Sequence, residues 1–154
     1  MADSLTAPVI LNIAKVMTGQ LPATRKTARV MVGAPAGTQV EVDAQGTYQI
    51  FSVPAGAVIL DVRTRVVTGF TASVTITLGD GVNAAGYLDS TEIAPTSAET
   101  AGVYKSCVLQ ANTYSAGKKY LTADTIDAVI AGAVPAAGLL EVLIDYLDAT
   151  AGAA

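Results

Sequence analysis

One stretch that could bind a cation is "DGVNAAGYLDSTE", where the carboxylates Asp80, Asp89 and Glu92 stand with Asn83 between them. Clustered carboxylates are what a calcium ion takes, but the interior spacing departs from the EF-hand loop at every position, and acidic glycine-rich loops are ordinarily hairpin turns. The stretch therefore reads as a turn, and no metal is expected. Its "DSTE" portion also reads as an N-cap, Asp89, followed three residues later by Glu92, which predicts one turn of helix. A second candidate is Arg63 and Arg65, which share a strand face with Asp61. Paired arginines can grip phosphates or a partner's carboxylates, yet two charges on a wet strand face need no binding role. The third is Cys107, alone in "VYKSCVLQ", which reads as a small buried hydrophobe on a strand.

What is missing narrows the chemistry further. The chain has no histidine, so the commonest general base, the commonest zinc ligand and every Ser-His triad are excluded. The glycines of "VGAPAG" and "GDGVNAAG" carry no Gly-Lys-Ser or Gly-Lys-Thr, so nothing resembles a phosphate-binding loop. A net charge of -4, six Tyr, two Phe and no Trp argue against a nucleic-acid or sugar-stacking surface. No enzymatic activity, catalytic residue, cofactor or nucleic-acid partner is expected.

Residues this poor in chemistry must serve architecture. In "AVILDVRTRVVTGFTASVTITLGDG", Val58, Leu60, Val62, Thr64 and Val66 alternate with Ile59, Asp61, Arg63, Arg65 and Val67, the period of a half-buried strand. Val74, Ile76 and Leu78 alternate with Ser73, Thr75 and Thr77 in a second strand, and the short break at Gly69 predicts that the two form an antiparallel hairpin. Further extended segments are "TARVMVGAP", "TQVEVD", "TYQIFSVPAG", "VYKSCVLQ", "KKYLTADTIDAVIAG" and "GLLEVLIDYLD". The last also satisfies a helical stripe through Leu139, Leu140, Leu143, Ile144 and Leu147; Pro135 and Gly138 before it favour a strand. The expected fold is all-β: a single-domain antiparallel β-sandwich or jelly-roll-like fold with an extended N-terminal arm.

The domain pattern is expected as an arm over residues 1–27, a β-sandwich over 28–148 and a flexible tail over 149–154. The opening residues lack a positive n-region and a convincing cleavage site, so they read as mature chain. Residues 1–27 hold Pro8, Gly19 and Pro22 around the apolar Val9, Ile10, Leu11 and Ile13, and are too broken for an ordinary helix and too apolar for a free linker. Such an arm is best placed on a neighbour. Residues 1–29 also carry Lys15, Arg25, Lys26 and Arg29 against Asp3 alone, while residues 120–154 carry Asp124, Asp127, Glu141, Asp145 and Asp148 with no cation after Lys119. These can complement one another between subunits or stay solvated on separate faces. The expected interface residues are accordingly Val9, Ile10, Leu11, Ile13, Arg25, Lys26 and Arg29. Apolar residues form 51% of the chain and charged ones 14%, so surface is left to hide against other subunits. A homo-oligomer is expected, a trimer ahead of a dimer. No run reaches membrane-helix length, and no membrane partner is expected.

Residues 51–93, "FSVPAGAVILDVRTRVVTGFTASVTITLGDGVNAAGYLDSTEI", resemble small virion proteins of tailed bacteriophages, in particular head decoration (cement) proteins. The residues that carry the resemblance are Pro54, Ala55, Gly56, Asp61, Val62, Phe70, Gly79, Asp80, Gly81, Gly86, Tyr87 and Leu88. It covers about a third of the chain, and "YLTADTIDAVIAGAVPAAGLLEVLIDYLD" is similar in style to the closing strands of such proteins. The resemblance implies a structural protein made in the bacterial host cytoplasm and carried on the outer surface of the capsid. There it would bind the major capsid protein of the assembled head and stabilise the shell. The alternatives are a tail, fibre or head-tail connector component of the virion and, further off, a non-viral β-sandwich binding module.

Overall fold

The alternation in "TRKTARVMVG" turns Val30 and Val32 inward and leaves Arg25, Thr27 and Arg29 on the opposite face, and this segment forms strand β1, Thr24–Gly33. The structure, a computed structural model, describes residues 24–71 and 73–148. Val9, Ile10, Leu11 and Ile13 of the expected arm and the expected tail at 149–154 lie outside the described residues. After β1 come β2 (Val40–Glu41), β3 (Gly46–Val53), β4 (Val58–Thr68) and β5 (Val74–Gly79). One helical turn, α1 (Ser90–Ile93), then precedes β6 (Lys105–Ser106), β7 (Lys118–Lys119), β8 (Asp124–Gly132) and β9 (Leu139–Asp148). Strands account for 49% of the structure and helix for 6%, so the fold is all-β as the alternation requires.

The strands form two sheets. One runs β2-β1-β9-β4-β6, with β7 also on the β4 edge; the other runs β3-β8-β5. The pairings are antiparallel apart from β1 with β2, which is parallel. Val30, Val32, Val62, Val66, Leu140, Val142 and Ile144 of the first sheet meet Ile50, Val53, Ile76, Leu78, Ile126 and Ile130 of the second in one buried core. Phe51 of β3 and Tyr146 of β9 also touch across the sheets, with ring centroids 5.1 Å apart.

Several local expectations are corrected. The strands β4 and β5 are not a hairpin: β4 pairs with β9, β6 and β7, whereas β5 pairs with β8 in the other sheet. The connection after Thr68 is an arch between sheets, tied down by Phe70 N–H to Pro95 O at 2.8 Å and Thr71 N–H to Ala137 O at 3.3 Å. Alternation shows that a strand has an inner face but not which strand lies beside it. Within β4 the register slips between Ile59 and Asp61, so the extra residue, Leu60, turns Ile59 inward beside Val62. The segment around Cys107 is strand only at Lys105–Ser106, and Cys107–Leu109 forms a 3-10 turn. "KKYLTADTIDAVIAG" is divided between β7 and β8. The closing segment is a strand, as Pro135 and Gly138 suggested, and it is the centre of the first sheet.

Candidate functional site

The outer face of the first sheet gathers most of the charged residues singled out from sequence. Strand β9 lies between β1 and β4, which places Glu141 and Asp145 between two rows of arginines. Arg29 Nε donates to Glu141 Oε1 at 2.5 Å; Arg65 Nε and the Tyr104 hydroxyl donate to Oε2, each at 3.0 Å. Arg63 Nη2 donates to Asp145 Oδ2 at 2.9 Å and the Thr27 hydroxyl to Oδ1 at 2.6 Å, with Arg25 Nη2 3.6 Å away. Asp61 accepts from the Ser106 hydroxyl at 2.7 Å. Lys26, at one end of β1, donates to Asp148 Oδ2 at 2.6 Å.

These contacts revise the reading of Arg63 and Arg65 as a solvated strand face. They also show that the basic start of β1 and the acidic closing strand complement each other within one chain. The carboxylates are buried beneath the guanidinium groups, while the β1 cations stay open to water, with Arg25 68% and Arg29 60% exposed along the side chain. Burial pushes the Glu141 carboxyl upward, but hydrogen bonds from Arg29, Tyr104 and Arg65 outweigh it and hold the group below its ordinary range. Both Arg29 and Lys26 are correspondingly raised, chiefly by the hydrogen bonds to Glu141 and Asp148.

The acidic glycine loop does something different. Asp80 is buried, and its Oδ1 accepts from Val82 N–H at 3.0 Å, Asn83 N–H at 2.9 Å and the Tyr114 hydroxyl at 3.1 Å. Its Oδ2 accepts from the Tyr120 hydroxyl at 2.8 Å and from Lys118 Nζ. The ammonium group of Lys118 lies 4.2 Å and 4.6 Å from the ring centroids of Tyr114 and Tyr120. Burial would raise the Asp80 carboxyl, yet Lys118 and the surrounding N–H and O–H donors bring it down to about 2. The Tyr87 and Tyr120 hydroxyls, 2.9 Å apart, are both pushed upward, mainly by burial. Neither is a phenolate at neutral pH.

The loop's glycines serve this enclosure. A Cβ at Gly79 would stand 1.9 Å from Asn83 O, and one at Gly86 would stand 2.2 Å from the Tyr114 ring. Asp89 does not join Asp80: its Oδ1 accepts from Thr91 N–H at 2.8 Å and Glu92 N–H at 3.0 Å, while Glu92 Oε2 accepts from Asp89 N–H at 2.8 Å. This is the capping box anticipated for α1. Among the described residues, no group of three or more His, Cys, Asp or Glu is placed to hold a metal ion. Cys107 is buried, its Sγ accepts from Val62 N–H at 3.3 Å, and burial pushes its thiol up to about 12. It is a packed thiol, not an activated nucleophile. The signal for Asp80 as a hub was present in "GDG", but its side-chain partners Tyr114, Lys118 and Tyr120 lie more than thirty residues away, where nothing in the local pattern connects them to it.

No family model matches the chain, and no curated protein matches it. Solved structures do. A chain of the acidic stable capsid structure of Helicobacter pylori bacteriophage KHP30 superposes with a TM-score of 0.56 at 12% identity, covering 83% of this chain and 90% of that one. A chain of the cyanophage Pam1 capsid asymmetric unit gives a TM-score of 0.52 at 18% identity, covering 83% of this chain and 87% of that one. The fold is that of phage capsid chains. Both likenesses run through most of the two-sheet body, so the capsid-chain fold extends well beyond residues 51–93, where the sequence resemblance lies.

Proposed function

We propose that this protein is a structural component of a bacteriophage virion, and specifically a decoration (cement) protein that binds the outer surface of an assembled head through the major capsid protein. The observation that carries the reading is the fold shared with chains of two phage capsid structures over 83% of this chain. The residue chemistry supports it, since the side chains with chemical potential are spent on holding the fold together. The mechanism is binding: a protein that attaches only to the assembled shell stabilises that shell by mass action, and many identical sites multiply weak contacts. The domain pattern is an arm over residues 1–27, whose last four residues already run in β1, a β-sandwich over 28–148 and a tail over 149–154. The arm residues Val9, Ile10, Leu11 and Ile13, together with Arg25, Lys26 and Arg29 on β1, form the interface with a neighbouring subunit or capsid protein, and the protein works as a homo-oligomer, a trimer ahead of a dimer. The reading assigns no catalytic step.

The test is co-sedimentation of purified protein with undecorated heads, followed by heating of the bare and decorated particles. Saturable binding in many copies per shell, with loss of packaged DNA moved to higher temperature, is the expected result. Binding at a few copies per particle points to a tail, fibre or connector component, and failure to bind heads overturns the decoration role.

A further inference from the structure

Among the described residues, the outer edge of β1 has no strand beside it over most of its length. Its inner edge pairs with β9 from Thr24 to Gly33, whereas on the outer side β2 reaches only Val32 and Gly33. Gly33 O accepts from Val42 N–H at 2.8 Å, and Met31 N–H donates to Gln39 Oε1 at 3.2 Å. Backbone groups alternate sides along a strand, so the N–H and C=O groups of Arg25, Thr27 and Arg29 also point outward. Among the described residues none of these groups has a strand partner, and the open edge spans about 13 Å at the ordinary strand rise. An edge of this length is a template for another strand.

We infer that this edge is a strand acceptor, and that its occupant is the segment Val9–Ile13 from the N-terminal arm of a second copy. A second β1 fits poorly: symmetric antiparallel pairing about Thr27 sets Arg25 opposite Arg29 twice, and like charges directly opposite oppose pairing. The segment from Pro8 to Ala14 carries no charge. As a strand, Val9, Leu11 and Ile13 extend the apolar inner face next to Ala28 and Val30, while Ile10 and Asn12 lie beside the arginines without repulsion. Ten residues separate Ile13 from Thr24, a reach of up to about 35 Å when extended, enough to cross to an adjoining copy. The biological setting of this exchange rests on the decoration reading; the pairing itself is a property of the protein alone.

The experiment mixes two full-length variants, Asn12→Cys and Thr27→Cys, with Cys107 left as the buried thiol, and joins them with a short bis-maleimide. Arm exchange gives a cross-linked dimer in the mixture. A chain carrying both substitutions that closes on itself at every dilution, with no dimer in the mixture, overturns the inference in favour of the arm's own edge. Hydrogen exchange on the unsubstituted protein gives an independent reading. The Arg25, Thr27 and Arg29 amides are expected to slow at least ten-fold (about) as concentration rises into the assembling range, and to stay fast when residues 2–20 are deleted. Fast exchange at every concentration overturns the inference. Head binding measured on the same preparations separates the two proposals: heads bound without cross-linking or protection overturns arm exchange alone, and arm exchange without head binding overturns the decoration role alone.

Discussion

The Asp80 cluster and the outer face of the first sheet use the same residue types to opposite effect. Around Asp80, one carboxylate is enclosed by Lys118, two tyrosine hydroxyls and two backbone amides. On the outer face, Glu141 and Asp145 are equally buried, but the β1 arginines that cover them are mostly in water. The difference teaches where charge holds this fold together. A pair sealed from solvent must keep all its partners, because removing one leaves an uncompensated buried charge. A pair half in water loses less, because water and salt already compete for the cation.

The largest effect that can sharpen this contrast is Lys118→Met. It strands Asp80 among tyrosines, and is expected to cost about 3 kcal/mol, read as a fall in melting temperature on the order of 10 °C. A fall as small as that of a surface arginine variant breaks the comparison. Acid provides the next test. Because the folded Asp80 carboxyl is held down at about 2 against an ordinary value of 3.8, its contribution of about 2 kcal/mol is complete above pH ~4 and is lost as pH falls toward about 2. Chemical denaturation at stepped pH is expected to show this decline, and Asp80→Asn is expected to flatten it while lowering stability at neutral pH.

A smaller effect lies directly beneath the outer layer. The Thr64 hydroxyl, between Arg63 and Arg65 in sequence but turned into the core, is buried with no hydrogen-bond partner among the described residues. Thr64→Val removes that cost with little change of shape, and a gain of about 1 kcal/mol in denaturant unfolding is expected. The smallest effect belongs to Arg29→Ala. With Arg65 and Tyr104 still on Glu141, the melting temperature is expected to stay within measurement error in high salt and to fall slightly in low salt. A large, salt-independent loss would show that the outer layer behaves like the Asp80 cluster.

Much of the secondary structure was legible because it follows from nearest neighbours. The alternation of Val62, Thr64 and Val66 with Arg63 and Arg65 marks an amphipathic strand, Asp89 and Glu92 mark a capped turn, and Gly138 sets off β9 from what precedes it. Alternation alone sets Ile59 on the face of Asp61 and Arg63; it turns inward because of the bulge at Leu60, a property of the pairing with β9 and not of β4. The hairpin expected between β4 and β5 failed for the same reason, since an arch and a hairpin can begin from equally short breaks.

The sequence by itself determined that the chain is all-β, that Cys107 is a buried thiol without a disulfide partner in its own chain, and that histidine-based chemistry is closed to it. Each of these depends on composition or on residues a few positions apart. Only the tertiary structure decided that β9 is the central strand of its sheet, that the arginines of β1 and β4 converge on Glu141 and Asp145, and that Lys118 and two distant tyrosines, Tyr114 and Tyr120, close over Asp80. Strand partners and buried charge pairs are chosen by contacts between residues dozens of positions apart. Those contacts form only when two faces seal a common core, and a local pattern carries no information about which faces meet.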